Sequence, residues 1–214
     1  MKDLAIYGAG GFGREVACLI LKINEIESVW NLIGFFDDGK KKGEKISHYG
    51  KILGGINDLN QWKEKLAIIL ALGLPHTRFQ IHKKITNPNI FFPNIISPDL
   101  WTADKSSVSI GIGNIIVGGC AFSCDVSVGD FNLFNGSIQL GHDVMVGSYN
   151  VFMPSAKISG EIVIGNENLF GVSSIVIQQL KIGDGVILGP GSVLLHKPKN
   201  NATYIGNPAK LLKY

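Results

Sequence analysis

An aliphatic residue followed by glycine, usually with an asparagine three positions later, recurs five times at a constant spacing. The five copies begin at Ile110, Val128, Val146, Ile164 and Ile182, which sets a long period equal to three hexapeptides. Every sixth residue from Ile110 to Leu194 is also apolar, so each unit divides into three shorter ones. A hexapeptide period predicts a parallel β-helix, with three short sides per coil and strands stacked about 4.8 Å apart. We expect a solenoid of about five coils.

Three apolar columns should fill the interior of this solenoid. One of them would stack three phenyl rings, those of Phe134, Phe152 and Phe170. We expect the recurring glycine and asparagine to form a left-handed corner, because both residues enter that backbone conformation at low cost. A β-sandwich is the alternative, but alternation of period two gives no reason for glycine to return once in every three hexapeptides.

The length of 214 residues suits two domains, which we place at 1–100 and 101–214, the second ending in a C-terminal tail. Hydrophobic residues make up 45% and charged residues 17%, so surface remains for burial between subunits and we expect an oligomer. A formal charge of +3 is too small to indicate a nucleic-acid partner, although it suits an anionic small molecule.

The cysteines indicate a reducing compartment. Cys18, Cys120 and Cys124 are an odd number without a disulfide framework, so the cytoplasm is the expected location. No apolar run approaches the length of a membrane span, and the glycine-rich turn begins too early for a signal peptide. Cys120 and Cys124 lie four apart without a second pair, which favours buried thiols over a metal site.

The first hundred residues predict a strand, a glycine turn and a helix in that order. An apolar run at 4–7 precedes the glycine-rich segment 8–13, and apolar residues at helical spacing occupy 14–23. Further strands are expected at 32–36 and 67–72. These units indicate a small, parallel, Rossmann-like α/β domain.

The glycine turn resembles a nucleotide-binding fingerprint. Gly8, Gly10 and Gly13 have the spacing that lets a backbone approach a pyrophosphate at a helix N-terminus. Asp37 lies near the end of the second strand, where an acidic residue binds the ribose of NAD. Since the domain is too small for the six-stranded NAD fold, we expect a nucleotide-linked ligand instead. A tight turn that binds nothing is the alternative.

The solenoid contains one candidate for acid–base chemistry. His142 can accept a proton from a nucleophile near neutral pH, and the adjacent Asp143 can orient its ring. Gly160 lies one full period further and therefore one coil away, where its N–H could stabilise the oxyanion of an acyl transfer. A surface histidine without chemistry is the alternative. Cys124 precedes His142 by one coil, but nothing favours its thiolate as a nucleophile.

The same histidine argues against a catalytic metal. A catalytic zinc normally has three protein ligands, whereas His142 is the one histidine well inside the repeat and His196 is the only other nearby. We therefore predict no metal site.

Together, the glycine-turn domain, the solenoid with Gly141-His142-Asp143 and the closing segment 206–210 (GNPAK) resemble a known family. They are similar to the bacterial nucleotide-aminosugar N-acetyltransferases, which are grouped with sialic-acid O-acetyltransferases. The resemblance covers essentially the whole chain. It implies a left-handed β-helix, a homotrimer with active sites between subunits, and acetyl-CoA lying along the solenoid.

The resemblance also implies roles for individual residues. His142 would be the general base and Asp143 would raise its basicity. The residues expected to contact acetyl-CoA are Val151, Gly160, Val172 and Pro190. Those expected to contact the sugar nucleotide are Gly10, Gly11, Phe12, Asp37, Asp38 and Gly73. Family members often carry histidine at the position of Phe12, and some at that of Val151, so polar contacts with the ligands are expected to be lost at both positions.

The expected reaction is acetyl transfer from acetyl-CoA to the amino group of a nucleotide-linked 4-amino-4,6-dideoxy sugar, by direct attack, in bacterial surface glycan biosynthesis. O-acetylation of a hydroxyl group, such as one of sialic acid, is the alternative and uses the same residues. A nicotinamide-dependent enzyme and a non-catalytic scaffold are less favoured.

Overall fold

A parallel sheet of five strands forms the N-terminal domain of the computed structural model, which describes residues 1–213. Tyr214, the last residue of the predicted tail, lies outside the described residues. The elements in chain order are β1 (Lys2–Tyr7), α1 (Gly11–Ile26), β2 (Trp30–Phe36), β3 (Ile52–Gly54), α2 (Ile56–Asn60), β4 (Leu66–Leu70), α3 (Pro75–Lys84) and β5 (Ile90–Phe91). The predicted elements β1, α1, β2 and β4 are confirmed, whereas β3, α2, α3 and β5 were not predicted.

The strand order is β3-β2-β1-β4-β5 with every pair parallel, so the carboxyl ends of the strands meet at one edge. Alternate residues of β1 pack on opposite sides of the sheet. Leu4 and Ile6 meet Val16 and Ile20 of α1, whereas Ala5 and Tyr7 belong to a second apolar cluster on the other side. Burial on both sides explains the unbroken apolar run in β4.

Three stacked sheets form the solenoid. The first face contains the strands Trp101–Thr102, Ala121–Phe122, Gln139–Leu140, Lys157–Ile158, Ile175–Val176 and Val193–Leu194. The second face follows a short 3-10 turn, Lys105–Ser107, and contains Val108–Ile110, Val126–Val128, Met145–Val146, Val163–Ile164 and Lys181–Ile182. The third face contains Ile95–Ile96, Ile115–Ile116, Leu133–Phe134, Val151–Phe152, Leu169–Phe170, Ile187–Leu188 and Thr203–Ile205, with Lys210–Leu211 added antiparallel.

The predicted register is confirmed. Strands of neighbouring coils pair in parallel at an offset of one full period, as Val151 does with Leu169. The first face has six strands and not the expected five, because Trp101–Thr102 adds a strand ahead of the repeat, pairing with Ala121–Phe122 at an offset that differs from the repeat spacing. The strand Ile95–Ile96 pairs with Ile115–Ile116 in the third face, although it precedes the predicted domain boundary at residue 100. The boundary itself stays a prediction.

The interior of the coil contains the predicted column of aromatic rings. Phe134 and Phe152 stack at 4.7 Å between ring centroids, and Phe152 and Phe170 at 4.6 Å, with planes within 5° of parallel. All three side chains are buried. The stacked rings thus form one of the apolar columns that fill the interior of the coil.

The recurring asparagines have a different cause from the one expected. The left-handed residues at their corner are instead Phe131, Tyr149 and Glu167, with φ of 56°, 61° and 55°. Asn132 and Asn150 are fully buried, and the backbone N–H of Asn150 donates to the side-chain oxygen of Asn132 at 2.8 Å. The expectation of left-handed asparagines was therefore wrong, because a buried hydrogen-bonded ladder requires them.

The recurring glycines are likewise not left-handed. A Cβ atom placed on Gly129 would lie 2.7 Å from the carbonyl oxygen of Gly147 in the next coil. Gly147 faces Gly165 in the same way, at 2.5 Å. The expectation of a left-handed conformation was wrong here too, since the close approach of successive coils requires glycine.

The N-terminal domain packs on the outside of the third face. Outward side chains of that face, including Leu133 and Val151, share an apolar cluster with Val16 and Ile20 of α1. Helix α3 lies against the corner between the second and third faces, where Arg78 contacts Phe131. No helix within residues 1–213 has the length and apolar character needed to cross a membrane.

Candidate active site

His142 and Asp143 form the corner between the first and second faces. The chain turns there between the strands Gln139–Leu140 and Met145–Val146, and Asp143 adopts a left-handed conformation with φ of 55°. The coils on either side hold this turn. The N–H of Asp143 donates to the carbonyl of Cys124 at 3.2 Å, and the N–H of Glu161 donates to the carbonyl of His142 at 2.8 Å. A rigid backbone therefore presents two exposed side chains.

The two side chains form a pair suited to proton transfer. The Nδ1 atom of His142 lies 2.8 Å from Oδ2 of Asp143. A carboxylate at this position stabilises the tautomer with the proton on Nδ1, which leaves Nε2 as the free acceptor. The pKa of His142 is raised, mainly by the hydrogen bond with Asp143. Partial removal from water lowers this pKa, whereas the negative charges of Asp143, Glu161 and Asp125 raise it further. His142 is therefore a stronger base than a free histidine.

Gly160 lies directly against the imidazole. A Cβ atom on Gly160 would be 2.6 Å from Nε2 of His142. The backbone does not require glycine here, because the φ angle of Gly160 is not positive. The equivalent positions in other coils also carry side chains, namely Cys124, His142 and Gln178. Within residues 1–213 the N–H of Gly160 has no hydrogen-bond acceptor. The glycine thus leaves space and a free donor beside the base.

The start of α1 forms a second candidate subsite, at the carboxyl edge of the sheet. Gly8 and Gly13 are needed for packing, since a Cβ atom on Gly8 would lie 2.7 Å from the Ala71 carbonyl oxygen and one on Gly13 would strike the carbonyl of Gly8. Gly10 and Gly11 have open space around them, and no side chain caps the helix. Free backbone N–H groups at such a helix N-terminus favour an anion.

Asp37 and Asp38 hold this edge together. Asp37 accepts hydrogen bonds from the N–H groups of Ala9 at 2.8 Å and Gly39 at 2.9 Å. Asp38 accepts one from the N–H of Ile56 at 2.8 Å and another from the hydroxyl of Tyr7. Burial, followed by the bond and charge of Asp38, raises the pKa of Tyr7, which therefore remains a donor. A carboxylate has about four acceptor sites, so both can still bind a ligand hydroxyl.

The remaining predicted residues are distributed over the solenoid and the sheet edge. Phe12 is half-buried at the start of α1, and Gly73 follows β4 with open space around it. Val172 and Pro190 are exposed at the corner between the third and first faces. Val151 is fully buried beneath the N-terminal domain, so its contact with acetyl-CoA stays a prediction.

One chain does not bring the two subsites together. The glycine turn lies over the third face, whereas His142 lies at the corner of the prism opposite that face. The structure also adds acidic neighbours that the sequence analysis missed. Asp125 and Glu161 stand one coil before and one coil after Asp143 and face the same imidazole. An acidic residue recurring at the coil period was the signal that could have revealed them.

Comparison with known protein families gives a match to the first domain. The family model of the PglD N-terminal domain matches residues 3–85. No curated protein sequence matches the chain.

Solved structures resemble the chain over its full length. The acetyltransferase domain of PglB from Neisseria gonorrhoeae FA1090, in complex with acetyl coenzyme A, is 27% identical, with 99% of both chains covered and a TM-score of 0.88. WeeI from Acinetobacter baumannii AYE is 25% identical, with 99% of this chain and 100% of that chain covered and a TM-score of 0.88. PerB from Caulobacter crescentus, in complex with CoA and GDP-perosamine, is 22% identical over 100% and 98% of the chains, with a TM-score of 0.89, and shows likeness of fold alone.

These comparisons confirm the resemblance to hexapeptide-repeat sugar acetyltransferases and the predicted fold, a Rossmann-like domain followed by a left-handed β-helix. These structures support the prediction that the chain is an acyltransferase. Acetyl-CoA, the predicted co-substrate, or CoA is bound in two of the three structures. Residues 1–213 contain no group of three or more His, Cys, Asp or Glu side chains placed to hold a metal ion.

Proposed function

We propose that this protein transfers the acetyl group of acetyl-CoA to the amino group of a nucleotide-linked amino sugar, with His142 as the general base. One observation carries the proposal. Nδ1 of His142 is bonded to Asp143 while Nε2 faces the space left by Gly160. A base held in one tautomer, with a free N–H donor beside it, has the components that a direct acyl transfer requires.

The proposed reaction proceeds through a tetrahedral intermediate. The sugar amine attacks the thioester carbonyl carbon while Nε2 of His142 removes a proton from the nitrogen. The carbonyl oxygen becomes an oxyanion and accepts a hydrogen bond from the N–H of Gly160. The carbon–sulfur bond then breaks, and the imidazolium returns a proton to the departing CoA thiolate. The products are an amide and CoA, and no acyl-enzyme is formed.

The two substrates would occupy different parts of the protein. The diphosphate of the sugar nucleotide would lie at the open N-terminus of α1, beside Gly10 and Gly11, with Asp37 or Asp38 accepting a ligand hydroxyl. Acetyl-CoA would extend along the solenoid past Val172 and Pro190, which are exposed. Phe12 would pack against the sugar nucleotide without a polar contact.

We place each active site between two chains of a homotrimer, because the nucleotide edge and His142 lie on opposite sides of one chain. The solenoid leaves large apolar side chains exposed, as an interface between subunits requires. Those most exposed there are Trp101 at 58%, Met145 at 55% and Ile112 at 52%. The three cysteines are free, which supports the cytoplasm as the compartment.

The acceptor we favour is a 4-amino-4,6-dideoxy sugar used in a bacterial surface glycan. The test is release of the free CoA thiol from acetyl-CoA, with UDP-, dTDP- and GDP-linked 4-amino sugars and sialic acid as acceptors. Turnover on an amino sugar supports N-acetylation and identifies the nucleotide. Turnover on sialic acid alone would replace this proposal with O-acetylation. Absence of thiol release with every acceptor would contradict it.

A further inference from the structure

Arg78 is a buried cation without a carboxylate partner. Its side chain is fully buried, and the ion pairs within residues 1–213 involve other groups. Burial lowers the pKa of Arg78 to about 9, so the guanidinium is still charged at neutral pH. An unpaired buried charge is costly unless polar groups replace its water. The buried guanidinium therefore depends on the groups that bind it.

Carbonyl groups from both domains replace that water. The Nε atom of Arg78 donates to the carbonyl of Phe131 at 2.9 Å, at the corner between the second and third faces. Its Nη1 atom donates to the carbonyls of Leu70 at 2.7 Å and Leu72 at 3.1 Å, where β4 ends. Because an arginine fork fixes the direction of each bond, this one side chain sets the position of the sheet edge against the solenoid.

A row of side chains on the solenoid completes this contact. Phe131, Tyr149 and Glu167 occupy the same corner position in three successive coils, and all three meet α3. His82 packs on Phe131 with ring centroids 4.0 Å apart and hydrogen-bonds the Tyr149 hydroxyl at 2.7 Å. His76 lies 3.1 Å from Glu167. The helix therefore docks along the axis of the solenoid, with Arg78 at its buried centre.

The contact continues into the proposed acceptor subsite. The carbonyls of Leu70 and Leu72 flank Ala71, and Gly73 follows directly. Gly8 packs so closely on the Ala71 carbonyl that only glycine fits. A displacement at Arg78 is thus transmitted through two backbone contacts to the glycine turn. His142 lies at a different corner of the solenoid, between the first and second faces.

We propose that Arg78 is a positioning residue for the acetyl acceptor, holding the sugar-nucleotide edge of the sheet in a fixed place against the solenoid. This inference rests on the proposed function. A positioning role differs from a role in folding alone in its expected effect on the kinetics. Loss of the Arg78 guanidinium should impair use of the acceptor and leave the binding of acetyl-CoA to the solenoid unchanged.

The test compares Arg78→Met with Arg78→Lys and with a control in the same domain. Asn87→Ala is the matched control, because Asn87 is also buried and donates to two carbonyls, those of Leu59 and Trp62, but lies entirely within the N-terminal domain. For each variant we would measure kcat, the KM for the nucleotide sugar, the Kd for acetyl-CoA and the melting temperature.

We expect Arg78→Met to lower kcat/KM for the acceptor by about 100-fold, the effect of a misplacement near 1 Å, with an unchanged Kd for acetyl-CoA. Arg78→Lys should restore part of the loss, since it keeps the charge without the fork. Asn87→Ala should have a lower melting temperature but the kcat and KM of the wild type. Wild-type kinetics in Arg78→Met, or an equal kinetic loss in Asn87→Ala, would overturn the proposal.

Hydrogen exchange provides a readout that requires neither turnover nor knowledge of the acceptor. In Arg78→Lys, amides of the segment 71–74 and of α3 should exchange faster while those of α1 and the solenoid interior keep their protection. Unchanged exchange in α3 and 71–74 would refute the docking role even if the protein acetylates no amino sugar. Conversely, faster exchange with no turnover in the wild type would leave the docking established and the proposed function refuted.

Discussion

Replacing Gly160 with alanine should abolish most of the activity without harming the fold. The added Cβ atom would lie 2.6 Å from Nε2 of His142 and 2.8 Å from Cε1, both closer than real Cβ contacts, and 3.0 Å from Cδ2. The imidazole is exposed and can rotate away, but doing so breaks its 2.8 Å bond with Asp143 and covers the proton acceptor. The substitution therefore removes the base from its working position.

The magnitude follows from the role assigned to His142. A positioned general base contributes about 10²–10⁴ in rate, which corresponds to about 3–5 kcal/mol of transition-state stabilisation. We expect kcat to fall by that factor. Stability should change little or rise by about 0.4–1 kcal/mol, because Gly160 is not left-handed and alanine restricts the unfolded chain.

The assay is CoA thiol release at saturating concentrations of both substrates, with a thermal melt on the same sample. Gln178→Ala is the matched control, since Gln178 occupies the same corner position one coil further and lies two coils from His142. It should behave as the wild type. A Gly160→Ala enzyme with full kcat would refute the reasoning, and so would a large loss of melting temperature, which would make Gly160 a packing residue.

Three further predictions concern the His142–Asp143 pair, the stack of phenyl rings and the asparagine ladder. Because the base must be unprotonated and Asp143 raises the pKa of His142, the acidic limb of the wild-type pH–rate profile should lie above the usual histidine pKa of 6.5. The variant Asp143→Asn should move that limb to lower pH and reduce the rate at the plateau. An unshifted limb would contradict the pairing of His142 with Asp143. Phe152→Ala should destabilise by about 3–5 kcal/mol in denaturant unfolding, since it opens the middle of the ring stack. Asn150→Ala should lower the free energy of unfolding by about 1–3 kcal/mol for each hydrogen-bonding partner of the ladder left unsatisfied. An unchanged free energy of unfolding would show that the ladder contributes little to stability.

The sequence predicted the solenoid well because its periodicity is a direct image of the coil. The stacking of Phe134, Phe152 and Phe170 follows from counting one period along the chain, and no distant contact has to be known. The cause of the asparagine repeat was not predictable in the same way. Asn132 and Asn150 serve as hydrogen-bonding partners between coils, and such a role becomes visible only when the coils are stacked.

The candidate site was predicted where its residues adjoin in sequence or differ by one coil. His142 and Asp143 are neighbours, and Gly160 is one period away, so the spacing alone brings them together. Helix α3 and Arg78 were missed because α3 carries almost no apolar periodicity and docks through polar and aromatic side chains. Whether a charged residue will be buried depends on tertiary contacts that the local pattern does not contain.

A single-turnover measurement of His142→Asn tests the central claim most directly. Enzyme in excess over acetyl-CoA, saturated with the amino sugar identified by thiol release, reports the chemical step without product release. We expect the rate of the variant to be lower by a factor of about 10²–10⁴, with an unchanged Kd for acetyl-CoA. A variant that transfers the acetyl group at the wild-type rate would contradict the assignment of His142 as the base.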